Sequence, residues 1–80
     1  MKSTGANVLK SKYRLSYILK MIALADKEGD QCLTIYAPYD SAGFIEAIRA
    51  NRIECELRDR GYIANLITDK EDKAYLYISW

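Results

Sequence analysis

The chain is 80 residues long, half apolar and 29% charged, and its 12 bases against 11 acids leave a net charge of +1. That length and balance fit one globular domain over residues 1–80 and exclude a disordered chain or a membrane span, which needs an apolar run of roughly 18 residues. The charge is unevenly placed: residues 1–25 hold five bases and no acid (+5), and residues 26–80 hold seven bases and eleven acids (−4), so an anionic partner is drawn to the first segment.

Residues 1–7, MKSTGAN, read as a loose lead-in with no apolar signal-peptide core, which places the protein in the cytoplasm as an expectation. From Val8 the pattern turns helical. Leu15, Ile18, Ile22 and Ala25 share one face with Leu19 beside them, and Tyr17, Met21 and Leu24 flank it. Gly29 is the expected left-handed residue that stops this helix. QCLTIY, rich in β-formers and bounded by Gly29-Asp30 and Pro38, predicts the first strand. Asp40 or Ser41 caps the next helical stretch, residues 41–60, which Gly61 ends. Inside it Asn51 and Glu54 have the spacing of a capping box, so the stretch is either one helix or two with a break near Asn51. Glu54 with Arg58 and Glu56 with Arg60 are helix-supporting pairs.

YIANLIT, DKED and KAYLYISW predict a hairpin with a charged turn. In its second strand Ala74, Leu76, Ile78 and Trp80 share one face, and Tyr75, Tyr77 and Ser79 share the other. That strand has no proline or glycine and one charge at its start, which suits a central position. The expected fold is α+β in the order α-β-α-β-β, a three-stranded sheet of order 1-3-2 with the helices packed on one face.

The chain has no histidine, which removes the commonest general base and the usual zinc ligand. It also lacks the glycine-rich patterns that cradle phosphates. A non-enzymatic protein with no cofactor and no metal is therefore expected. Cys32 and Cys55 read as small buried hydrophobes rather than a disulfide. Seven tyrosines and a tryptophan favour a binding role, because tyrosine offers large contact area at low entropic cost. The candidate binding residues are Lys10, Lys12 and Arg14 from the basic segment, with Tyr17, Tyr36, Tyr39, Tyr75 and Tyr77; Tyr13 belongs to the same set of rings. A core this small, with tyrosines to spare, predicts self-association.

Two resemblances add to this reading. Leu57, Gly61, Tyr62 and Ile78-Ser79-Trp80 resemble a pattern in small proteins of tailed bacteriophages, in which a Leu-x-x-x-Gly-Tyr helix end leads into a hairpin closing on Ile-Ser-Trp. That resemblance implies a host-defence antagonist in the bacterial cytoplasm, sequestering a host protein or a small anionic signal, often as a homo-oligomer. The second is to the winged helix-turn-helix, whose order of helix, strand, two helices, strand, wing and strand fits if the chain breaks at Asn51. It implies a DNA-binding regulator with Arg49, Asn51 and Arg52 facing the major groove. The acids Glu54, Glu56, Asp59, Asp69, Glu71 and Asp72, on its helix and wing, oppose phosphate binding there.

Overall fold

Helix α1, Leu15–Lys27, forms where the apolar face recurs, and it buries Ile18, Ile22 and Ala25. The computed structural model describes residues 12–38, 41–70 and 73–80. Val8 to Ser11, where the helical pattern was expected to start, lie outside these residues. The backbone at Arg14 is extended (φ −88°, ψ 162°), so α1 begins at Leu15 rather than running unbroken from Val8. At its far end Gly29 takes φ +93°. Its N–H donates to the Asp26 carbonyl (2.9 Å) and the Asp30 N–H donates to that of Ala25 (3.0 Å), the paired bonds of a Schellman motif.

Strand β1 is Cys32–Tyr36. Helix α2, Ser41–Ala50, buries Gly43, Phe44, Ala47 and Ile48, and helix α3, Ile53–Asp59, buries Ile53 and Leu57. The segment expected as one helix or two is thus two, joined by Asn51 and Arg52. Arg52 is left-handed (φ 55°, ψ 40°), which turns the chain sharply. The residue that precedes α3 is Arg52, one place after Asn51, and it makes no side-chain cap bond. The Asn51 side-chain amide donates to the Tyr13 carbonyl (2.7 Å), and the Glu54 carboxylate accepts the Leu66 N–H (2.9 Å). Both side chains therefore tie the corner to distant elements. Glu54–Arg58 (3.5 Å) and Glu56–Arg60 (2.9 Å) form as expected.

Strands β2, Ile63–Lys70, and β3, Lys73–Ser79, complete an antiparallel sheet of order β1-β3-β2. The expected order is correct, and β3 is central. Leu33 and Ile35 of β1, Ile78 and Leu76 of β3, and Ala64 and Leu66 of β2 stand in register on one face. That face meets Ile18, Ile22, Phe44, Ile48, Ile53 and Leu57 from the helices to make the core. The full order, α1-β1-α2-α3-β2-β3, is the one the winged-helix resemblance implies.

Trp80 continues the inward row of β3 and packs half-buried against the core. Its N–H donates to the Gln31 carbonyl (3.0 Å), its indole Nε1 donates to Asp26 (3.1 Å), and its ring meets Tyr62 edge-on at 6.2 Å. Two expectations are corrected. Cys32 and Cys55 are both free and exposed, because Cys32 points to the outer side of β1 and Cys55 lies between the inward residues Ile53 and Leu57 of α3. Tyr13 is a core residue, its ring 4.9 Å from Phe44 in an edge-on contact, and not a binding tyrosine.

Candidate binding surfaces

With the helices on one side, the other side of the sheet is uncovered among the described residues. Register places three rows of side chains there. They are Tyr36, Tyr75 and Ile67; Thr34, Tyr77 and Asn65; and Cys32, Ser79 and Ile63. Tyr36 is 71% exposed and Ile63 59%, while Tyr75, Tyr77 and Ile67 shield one another and are half-buried. The Tyr36 and Tyr75 rings sit 5.6 Å apart at 47°. None of the nine residues is charged. The alternation of β3 places Tyr75 and Tyr77 on this face, and the register of β1 adds Tyr36. Ile63 and Ile67 were not foreseen, because β2 is apolar on both of its faces and its pattern alone does not say which row turns inward.

The basic candidates lie elsewhere. Lys12 and Arg14 are exposed on the helical side, with the Lys12 ammonium 5.3 Å from the centre of the Tyr13 ring. Lys10 and Tyr39 are outside the described residues. Tyr17 is half-buried, edge-on to Tyr13 at 6.0 Å, so its ring belongs to the margin of the core. Lys12, Arg14 and Tyr17 are therefore separated from Tyr36, Tyr75 and Tyr77 by the thickness of the sheet. The two groups do not form one site.

No family model, curated protein or solved structure matches the chain.

The helix-turn-helix corner offers a second surface. Arg49 and Arg52 are exposed there, whereas Asn51 is half-buried with its amide committed to Tyr13. A shallow depression of about 260 Å³ opens between α2 and α3, floored by Ile48 and Ile53 and rimmed by Arg49, Arg52 and Arg58. A wider trough of about 590 Å³ lies along α2 beside Ala42, Ile45 and Glu46, and Arg49 borders both. The Arg52 guanidinium donates a long bond to the Cys55 sulfur (3.8 Å). That contact with Cys55, then the nearby Glu56, raises the Arg52 pKa above the ordinary arginine value, and arginine is charged at any working pH. Arg58 donates to the Ala64 carbonyl (2.8 Å) and to the Asn65 side-chain oxygen (3.2 Å), which fixes it across the corner. Sequence reasoning assigned Arg58 to helix support alone. Its place beside Arg49 depends on the turn at Arg52, which no spacing rule contains.

Among the described residues no cluster of three metal-ligating side chains occurs, and no helix is long and apolar enough to cross a membrane.

Proposed function

We propose that this protein is a non-enzymatic binding protein that pairs with a second copy through the open face of its sheet and presents its helical side to a target. The observation that carries the reading is the nine-residue uncharged patch on the outer face, with its three tyrosines and with Lys73 at its border. In a two-fold interface residues of one patch meet the same patch of the partner, so a patch without charge pairs with itself without like-charge repulsion. Tyrosines and isoleucines supply contact area at low cost in side-chain entropy. Three strands about 4.8 Å apart and five residues about 3.3 Å apart give a footprint of roughly 14 by 16 Å. That is small for a specific interface, so the expected affinity is modest. The helical side would then face the target, a protein or small anion attracted by Lys12, Arg14, Arg49 and Arg52. The phage-protein resemblance supports a host factor as that target, and the absence of histidine from the chain supports sequestration over chemistry.

Sedimentation of the wild type and of Tyr36→Asp/Tyr77→Asp tests this. A dimer at micromolar concentration that the two aspartates convert to a folded monomer is the expected result. A wild-type monomer throughout, or a dimer indifferent to both aspartates, refutes the pairing.

A second reading, a winged-helix DNA-binding regulator, is favoured by one observation: the element order together with the sharp turn at Arg52. Against it, Arg52 to Arg60 carries three arginines balanced by Glu54, Glu56 and Asp59. A gel shift with random duplex at two salt concentrations separates the readings. Tight binding that falls steeply with salt and disappears in Arg49→Ala/Arg52→Ala puts the second reading first.

A further inference from the structure

We propose that the depression between α2 and α3 is a phosphate site, formed by Arg49, Arg52 and Arg58. The first argument is charge. Among the described residues Arg58 and Arg60 each pair with the glutamate four residues earlier, while Arg49 and Arg52 form no ion pair within 4 Å and Glu56 and Asp59 act on Arg52 only from farther off. The acid in the depression, Glu54, is engaged by the Leu66 N–H at 2.9 Å and by Arg58 at 3.5 Å. The lining of the depression itself thus holds three guanidinia and one carboxylate, with Glu46, Glu56 and Asp59 standing outside it, and its inner surface favours an anion. Planar guanidinium forks suit the oxygens of a phosphate group.

The second argument is conformational and independent of charge. Arg52 holds φ 55°, in the left-handed region where glycine is at no disadvantage and any other residue is strained. A turn residue chosen for the backbone alone would be glycine, as it is at Gly29 and Gly61. Arginine keeps the strain and gains a guanidinium at the rim of the depression. Its internal contact there is the 3.8 Å bond to a thiol, a weak acceptor. Strained residues persist where the surroundings impose them and the side chain is used.

The third argument is the floor. Ile48 and Ile53 are buried beneath the depression, so a bound anion loses water on that side and feels the arginines more strongly. A volume of about 260 Å³ admits a phosphate and the first atoms of whatever carries it. The site does not depend on the sheet-face pairing. It serves either a free phosphoester or the backbone of a nucleic acid, since both present the same oxygens.

Titration of the wild type with inorganic phosphate, followed by amide NMR at constant ionic strength, is the test. Saturable millimolar shifts centred on Arg49, Arg52 and Ile53 are expected, with none from equal chloride. Arg52→Gly should melt higher than the wild type without phosphate, because the strain is relieved. It should also bind phosphate about tenfold more weakly, the loss of one charge-assisted contact. Arg49→Gln should weaken binding similarly, and Arg60→Ala should leave it unchanged. No saturable shift in the wild type, or wild-type phosphate affinity in both Arg52→Gly and Arg49→Gln, overturns the proposal. A parallel titration with random duplex identifies the source. Duplex binding lost in Arg49→Gln assigns the site to a nucleic-acid backbone, and phosphate binding without duplex binding assigns it to a free phosphoester.

Discussion

Replacing Trp80 with alanine probes how far the end of β3 belongs to the fold. The indole bridges three places: the core beneath the sheet, Tyr62 after α3, and Asp26 near the end of α1. Removing a fully buried tryptophan costs about 3–5 kcal/mol. Trp80 is half-buried, so roughly half of that, about 2 kcal/mol, is expected from packing. The exposed Nε1 bond to Asp26 adds at most about 0.5 kcal/mol. The bond from its backbone N–H to Gln31 survives the change and contributes nothing to the difference. At about 4–8 °C per kcal/mol for a domain this size, the melting temperature should fall by roughly 10–20 °C. Thermal denaturation by circular dichroism measures it. Trp80→Phe, which keeps a ring against Tyr62 and loses the Asp26 bond, should recover more than half of the loss. Trp80 is also the single tryptophan of the chain, so wild-type fluorescence should red-shift through the same transition. An alanine variant that melts within about 2 °C of the wild type would show that the indole contributes no packing, and the inward reading of this row would fail at its last position.

Other substitutions test other parts of the fold. Leu76→Ala, at the centre of the middle strand and fully buried, should cost about 3 kcal/mol or more in urea denaturation. Gly61→Ala should cost about 1 kcal/mol through its backbone at φ +93°, because an added Cβ meets no atom within 4 Å. Asn51→Ala leaves the part-buried Tyr13 carbonyl without its 2.7 Å donor and should cost about 1–2 kcal/mol, measured the same way. Glu56→Ala breaks an exposed pair and should change stability by less than about 0.5 kcal/mol, an effect that vanishes in high salt.

What the sequence makes legible follows from how local the determining interaction is. The buried face of α1, the glycine stops at Gly29 and Gly61, and the two faces of β3 are set by periodicity and by backbone preference within a few residues, and all were readable. The central place of β3 was readable because an uncharged strand without proline makes a poor edge. The corner at Asn51-Arg52 was not settled, because a local capping box competed with contacts to Tyr13 and Leu66 that exist only once the chain has folded. Tyr13 was misjudged for the same reason. A tyrosine ahead of a helix looks free until Phe44 is brought against it. The cysteines were misjudged because burial statistics describe the residue type and not the side of the strand or helix on which it falls. Arg49 and Arg58 meet at one depression only through the left-handed turn between them.

The sheet order also governs the sequence of events in folding. β3 is the middle strand and, of the three, the last along the chain. A nascent chain therefore has helices and two strands but no sheet until residues 73–79 have left the ribosome. β2 and β3 then zip as a local hairpin, and β1 must wait for a partner distant in sequence, which makes its docking the slow step. Until then Leu33 and Ile35 stay open to water, and β1 is the segment most exposed to mispairing with other chains or to capture by a chaperone.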